Sequence, residues 1–372
     1  MTAIRVAIAD DSAFIRKAVA RILDADPRLT VVGAATCGED LLDHLVEWSP
    51  DVISLDLSMP GIGGLRTLDL IMEQKPTPVI ILSTHAREDT PMTIEALHRG
   101  AVDFIDKQRY SLVDFQTLSR VLTEKILEIG GKKGNFVPPT VSKPNQELAA
   151  EATAIPAAEP AVAAGRCLAH DLLIIAASTG GPTAIQTVLE SFGGKPAVPV
   201  VLIQHMPPDF TGAFAERLNN HLPFAVRHAS NGEPLLAGTA YVAPGGYQLR
   251  FQKPQSGLAA IVTEDSTGQS HSPSADVTFG SAAETLGSRV LAAVLTGMGR
   301  DGADGIAQLT RLGAHAVAQD RESSIVFGMP RAAIEYGGVT DVLPLADIGP
   351  RLSQLLHAGE ADPGASESLR TG

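Results

Sequence analysis

IRVAIADDSAFIRKAVARILDA, residues 4–25, decides the first half of the fold. Apolar Ile4–Ala9 reads as a short buried strand closed by two carboxylates. Ser12–Ala25 then repeats its apolar positions at intervals of three and four, as an amphipathic helix does. The same alternation recurs outward from it. Thr30–Ala35, Val52–Leu55, Val79–Ser83 and Val102–Ile105 read as strands, with helical patterns near 39–47, 64–73, 90–99 and 111–128. Five βα units of this kind make a doubly wound parallel α/β sheet of flavodoxin-like class.

The pattern then breaks. Residues 137–165, VPPTVSKPNQELAAEATAIPAAEPAVAAG, are rich in Ala and Pro and carry no aromatic residue. Such a stretch buries too little apolar surface to offset the entropy of ordering it, and proline makes it partly extended. It is the heart of a flexible linker spanning 131–168 between a first domain at 1–130 and a second at 169–358. A Gly-, Ser- and acid-rich tail at 359–372 is expected to be disordered. In the second domain Leu172–Ala177, Val200–Gln204 and Val290–Thr296 are short apolar runs suited to buried parallel strands. Asp209–His221, Ala275–Leu286 and Gly302–Leu312 read as helices. The stretch 224–264 mixes Pro, Gly and β-formers, so this second parallel sheet is expected to be Rossmann-like with an antiparallel excursion.

Composition narrows the function. A chain of 372 residues exceeds what one core usually organises. A formal net charge of -13 argues against a nucleic-acid-binding output domain, which normally shows a basic patch. Cys37 and Cys167 fall in different domains and suggest neither a disulfide framework nor a metal cluster. The N-terminus lacks the apolar core of a signal peptide, and no apolar run approaches the ~18 residues needed to cross a bilayer. The expected location is the cytoplasm, with no direct membrane insertion.

In a doubly wound sheet ligands bind at the carboxyl ends of the strands. Asp10 and Asp11 follow the first strand, Asp56 ends the third, Thr84 follows the fourth and Lys107 the fifth. Three carboxylates with a carbonyl and water suit Mg²⁺. The ion offsets charge on an incoming phosphoryl group that the Asp56 carboxylate attacks. Lys107 then pairs with the phosphate and the Thr84 hydroxyl bonds to it. Singly, each residue has a plainer reading: Asp11 or Ser12 as a helix cap, Asp56 as a turn residue, Lys107 as a solvated charge. Their joint spacing favours the phosphorylatable set.

In the second domain the strand Leu172–Ala177 runs into Ser178-Thr179-Gly180-Gly181-Pro182, with proline suited to a first helical turn. A hydroxyl there sits beside backbone N–H groups able to stabilise an oxyanion. Alone, the turn reads equally as an N-cap or a phosphate loop. It is not the Gly-x-Ser-x-Gly elbow. His205 ends the next strand, and Asp301 follows a third apolar run. The plainer readings are a core histidine and a helix N-cap, with Asp304 competing for the cap. Ser, His and Asp at three strand ends nevertheless suffice for a triad, which is defined by geometry rather than chain order. That chemistry needs no cofactor.

Residues 1–128 resemble a response-regulator receiver domain through AIADDS (7–12), SLDLSMPGIGGL (54–65), ILST (81–84) and GAVDFIDK (100–107). The resemblance implies phosphorylation at Asp56, Mg²⁺ held by Asp10, Asp11 and Asp56, and a switch pair of Thr84 and Lys107. The chain departs where receivers usually carry Asp-Gly, having Gly63-Gly64, and where proline usually follows the lysine, having Gln108. Residues from about 170 to 356 resemble the catalytic domain of chemotaxis protein-glutamate methylesterases. The matching segments are AASTGGP (176–182), QHMPPDFTGAFAERL (204–218), YVAPGGYQL (241–249), HSPSADVTF (271–279), LTGMGRDGADG (295–305) and AQDRESSIVFGMPRAA (318–333).

That second resemblance implies Ser178 as nucleophile, His205 as general base, Asp301 as its orienting carboxylate, and backbone N–H groups around Thr179 and Met298 as oxyanion donors. It further implies methylated chemoreceptors as substrate, a chemotaxis histidine kinase as phosphodonor, glutamine deamidation as a second activity, and a receiver that covers the active site until phosphorylated. The rival is a non-catalytic receptor-binding adaptor, against which the three retained side chains argue.

Overall fold

The first apolar run is extended as expected: in β1, Ile4–Ala9, every side chain but Arg5 is buried. The structure, a computed structural model, describes residues 3–83, 90–106, 115–131, 136, 170–255, 257–265 and 271–357. Helix α1 (Ala13–Asp24) is capped by Ser12, whose hydroxyl accepts from the Ile15 N–H at 3.4 Å. There follow β2 (Leu29–Ala35), α2 (Gly38–Trp48), β3 (Val52–Asp56), α3 (Gly63–Gln74), β4 (Val79–Ser83), α4 (Thr90–His98), β5 (Asp103–Asp106) and α5 (Phe115–Gly130). The five strands form one parallel sheet of order β2-β1-β3-β4-β5. The chain leaves β1 on one side and returns to the other for β3, so a crevice opens between their carboxyl ends.

The second domain runs β6 (Leu172–Ala177), α6 (Gly181–Glu190), β7 (Val200–Gln204), α7 (Pro208–His221), β8 (Ala225–His228), β9 (Thr239–Val242), β10 (Tyr247–Gln252) and β11 (Ala259–Glu264). It continues with α8 (Ala275–Leu286), a 3₁₀ turn (Gly287–Arg289), β12 (Val290–Val294), α9 (Ala303–Arg311), β13 (His315–Gln319), α10 (Met329–Glu335), β14 (Asp341–Leu343) and α11 (Leu345–His357). Seven strands pair in parallel in the order β14-β13-β12-β6-β7-β9-β8. Strands β6, β7 and β12 are buried at every residue, as unbroken apolar runs require of strands covered on both faces. Here the order reverses between β6 and β12.

Three details differ from the sequence reading. Only β10 and β11 are antiparallel, as a separate two-stranded sheet; β8 and β9, in the first part of the expected excursion, extend the parallel sheet instead. The crossover between them is held by the Tyr241 hydroxyl, which accepts from the Leu236 N–H and donates to the Pro234 carbonyl. Strand β12 stops at Val294, because Thr296 turns its N–H to the Gln319 side chain at 2.8 Å. Strand β5 begins at Asp103 rather than Val102: the Val102 N–H reaches Val79, but its carbonyl accepts from Gly180 of the second domain at 2.9 Å. The tail and, apart from Gly131 and Phe136, the linker lie outside the described residues.

The domains meet through α4 and the start of β5 on one side and α6 and α7 on the other. The Phe104 and Phe210 rings, 4.3 Å apart, join the two hydrophobic cores. Around them Glu95 pairs with Arg217, His98 Nδ1 donates to Gln186 Oε1 at 2.8 Å, and the Thr183 hydroxyl donates to the Leu97 carbonyl at 3.1 Å. Among the described residues no helix is long and apolar enough to cross a membrane.

Candidate active site

Strand register fixes the first two members of the second site. Ala177 on β6 pairs with Gln204 on β7, so Ser178 and His205 are the next residues of adjacent strands. The His205 N–H donates to the Ala177 carbonyl at 3.3 Å. Gly180 follows in the left-handed region at φ 76°, which lets the chain turn at once into α6. A Cβ there would lie 2.8 Å from Ile325. The turn is pinned from beneath: Gln204 Nε2 donates to the Ser178 carbonyl at 3.0 Å, and the Thr296 hydroxyl donates to the Thr179 carbonyl at 2.9 Å.

Asp301 arrives from the loop after β12, across the point where the strand order reverses. It does not cap α9, whose N-cap is Gly302. Asp304 is exposed and pairs with Arg300. The cap comes from Asp276, whose Oδ1 accepts from the Gly305 N–H at 2.8 Å. Asp301 is buried and turned to His205, its Oδ2 lying 2.7 Å from His205 Nε2. Its carboxylate also accepts from the Ser274 hydroxyl at 2.8 Å, the Ala275 N–H at 2.7 Å and the Asp276 N–H at 3.0 Å. The last two are unpaired first-turn donors of α8, a helix end that favours an anion. Burial by itself would raise the Asp301 pKa. The bond and charge of His205 and the two N–H groups outweigh it and hold the carboxyl well below the usual range.

His205 is therefore anchored at one ring nitrogen. Its side chain is 9% exposed, and its Nδ1 is buried without a hydrogen-bond partner. Ser178 is half-buried at the neighbouring strand end, and no hydrogen bond joins it to Nδ1 among the described contacts. Gly297, before Met298, packs against Ser178: a Cβ on it would lie 2.9 Å from the Ser178 Cβ. Among the described residues the N–H groups of Thr179 and Met298 pair with no backbone carbonyl. The receiver reaches this turn directly. Gly180 N–H donates to Val102, and the Thr179 hydroxyl donates to Asp103 Oδ2 at 2.6 Å.

At the other crevice Asp10 and Asp56 are buried, Asp11 is exposed, and a carboxylate oxygen of each lies within 4.8 Å of the others. The Ser12 and Ser58 N–H groups orient Asp10 and Asp56 at 2.9 and 3.2 Å. Because Ser12 caps α1, Asp11 is not needed for that role. Gly64 permits the tight approach of α3, since a Cβ on it would stand 2.4 Å from the Asp56 carbonyl oxygen. Gly63, at φ 74° with open space around it, occupies the position where receivers usually carry Asp. Thr84, Lys107 and Gln108 lie outside the described residues.

The sequence reading missed the supports. Thr296, Gln319 and Ser274 reach the site through long-range side-chain bonds, although all three lie in segments that carry the family resemblance, Ser274 also caps α8 locally, and Gln204 immediately precedes His205.

A parallel-sheet domain with three clustered carboxylates, docked on another with a His–Asp pair beside a strand-end serine, defines a response-regulator enzyme of hydrolytic type. Profiles of known families match both halves: the response regulator receiver domain over residues 6–114 and the CheB methylesterase over 173–352. The protein-glutamate methylesterase/protein-glutamine glutaminase 1 of Oleidesulfovibrio alaskensis is 37% identical over 368 residues, covering 95% of this chain and 100% of its own. The corresponding protein 3 of Burkholderia lata is 39% identical over 351 residues, 94% of each chain. The solved CheB methylesterase catalytic domain of Thermotoga maritima is 33% identical and covers 50% of this chain and 98% of its own, with a TM-score of 0.49. The chain belongs to the CheB methylesterase family, its esterase domain joined to a response-regulator receiver.

Proposed function

We propose that this protein hydrolyses glutamate γ-methyl esters on the cytoplasmic helical region of methylated chemoreceptors, through Ser178, His205 and Asp301, under control of phosphorylation at Asp56. The observation that carries the reading is the 2.7 Å bond between His205 Nε2 and Asp301, which leaves Nδ1 buried and unpartnered one strand from Ser178.

With Asp301 accepting from Nε2–H, Nδ1 is the basic nitrogen. The two ring nitrogens thus exchange the roles they have in chymotrypsin-type triads. Nδ1 takes the Ser178 proton as the hydroxyl oxygen bonds to the ester carbonyl carbon. Asp301, kept ionised by α8 and His205, stabilises the imidazolium that results. The N–H groups of Thr179 and Met298 receive the oxyanion. Collapse breaks the bond to the methoxy oxygen, which leaves as methanol with the proton from His205. Water, deprotonated by the same nitrogen, then cleaves the glutamyl-serine ester and frees a receptor carboxylate. A glutamine side chain follows the same route with ammonia leaving, which accounts for deamidation.

The docked receiver supports control by occlusion. It takes up the Gly180 N–H and the Thr179 hydroxyl on the turn that bears the nucleophile. Asp10, Asp11 and Asp56 form a hard-oxygen donor set suited to Mg²⁺, which supplies charge neutralisation for phosphoryl transfer from a chemotaxis histidine kinase. Lys107 and Thr84 would read the phosphate. Lys107 directly follows β5, so a shift there is felt at Asp103 and Val102. With such a substrate and donor the reaction belongs in the cytoplasm.

The test is methanol release by the full chain from a helical peptide bearing a glutamate γ-methyl ester, with a small-molecule phosphodonor. Ser178→Ala should lose at least ~10⁴-fold in turnover, by analogy with serine triads, while still accepting phosphate at Asp56. Near-normal release by the variant ends the reading.

A further inference from the structure

The segment HSPSADVTF at 271–279 serves this chemistry through Ser274, Ala275 and Asp276, which hold Asp301, while its first residue has no role yet. It deepens the triad reading and rests on it. The His271 ring lies parallel to the His205 ring, with centroids 4.3 Å apart and planes at 9°. The His205 ring has one hydrogen bond, at Nε2, and its Nδ1 has none. A single bond at one edge does not by itself fix the plane of the imidazole. The His271 ring stacked on its face is one restraint on that plane.

That surface is itself held. Gln248 on β10, 1% exposed, clamps the segment at both ends: its Nε2 donates to the His271 carbonyl at 2.8 Å, and its Oε1 accepts from the Ser274 N–H at 2.9 Å. The same segment continues into Ser274, Ala275 and Asp276, which grip Asp301. One clamped stretch therefore fixes the carboxylate at the edge of His205 and a flat ring against its face.

We propose that His271 is a positioning residue whose ring holds the plane of His205, so that Nδ1 stays aimed at the Ser178 hydroxyl. Its own proton is not used. One face of the ring is open to solvent; desolvation of the rest and the neighbouring His205 lower its pKa, against the pull of Asp301. What the role requires is a flat ring of this size.

The experiment measures kcat and KM for methanol release from the γ-methyl ester peptide by the phosphodonor-activated full chain, carrying His271→Ala, His271→Phe or Ser178→Ala. Misplacing a catalytic group by about an ångström costs up to ~10²-fold, so His271→Ala should lower kcat by ~10- to 100-fold with KM little changed. His271→Phe, which keeps the flat surface without nitrogens, should restore most of that loss. Three results overturn the proposal: His271→Ala within twofold of the parent, His271→Phe no better than His271→Ala, or a rise in KM with kcat unchanged, which would make His271 a substrate contact. Ser178→Ala separates the claims. If it is inactive while His271→Ala is normal, only the positioning role fails; if it turns over normally, both fall.

Discussion

Among the described contacts, the two domains place their working residues with bonds of different reach along the chain. Each is a parallel sheet whose working residues sit where strand order reverses, between β1 and β3 in one and between β6 and β12 in the other. In the receiver Asp10 and Asp56 each accept from an N–H group two residues further along the chain, those of Ser12 and Ser58. In the esterase domain Asp301 draws its bonds from residues about 25 positions away, and the Ser178 turn is braced by Gln204 and Thr296. Under the proposed function the receiver's carboxylates would hold Mg²⁺, which keeps several waters of its own, and carry a covalent mark that comes and goes. A proton relay needs fixed distances, so the hydrolytic site is locked by long-range bonds.

If this contrast is right, damage to the receiver should change the setting of the enzyme without touching its chemistry. The largest such effect is expected from Asp56→Asn, which should abolish stimulation by phosphodonor and keep the unstimulated rate. An allosteric coupling of the usual size corresponds to a stimulation of ~5- to 150-fold, so that factor is what disappears. Rates measured with and without phosphodonor check it; a variant still stimulated would place the control elsewhere.

A smaller effect is expected at the domain contact. Glu95→Gln removes the charge facing Arg217, which is half-buried, and should raise the unstimulated rate by a few-fold, on the order of one partly exposed ion pair. The stimulated rate should stay level. A fall in both would show that Glu95 supports the fold rather than the docking.

The smallest is a pH effect on docking, set by His98. Burial first, and then the Arg217 charge, lower its pKa in the docked state. Glu95 on its own helix, His221 on α7, and Gln186 with Glu190 on α6 complete its surroundings. A histidine with a depressed docked pKa binds its proton more readily when released, where it titrates near ~6.5. Docking is thus at full strength above that value and weakens as pH falls through the docked pKa. Fluorescence energy transfer between labelled domains should decline from pH 7.5 to 5.5, and the decline should flatten in His98→Gln. Equal slopes would remove His98 as the source.

Much of this was legible because buried parallel strands write themselves as unbroken apolar runs. Ile4–Ala9, Val79–Ser83, Leu172–Ala177 and Val200–Gln204 form over the residues expected, and Asp10, Ser178 and His205 directly follow three of them. The stretch 224–264 was harder. Strands β8 and β9 have four residues each, and no helix marks the crossover between them, so nothing local separates a parallel pair from a hairpin. The supports of the site were illegible for another reason. Gln248, Ser274, His271 and Thr296 gain their roles from contacts with residues distant in sequence, and no periodicity encodes a partner so far along the chain. The docking of the domains depends on the same kind of contact.

The Val102 carbonyl that meets the Gly180 N–H belongs to the main chain. No substitution deletes a peptide oxygen, so under the proposed control by occlusion side-chain drift in the receiver leaves the acceptor of this bond in place. Under that proposal, redirecting the backbone ahead of β5, where the chain turns out of α4, is one way to release the enzyme.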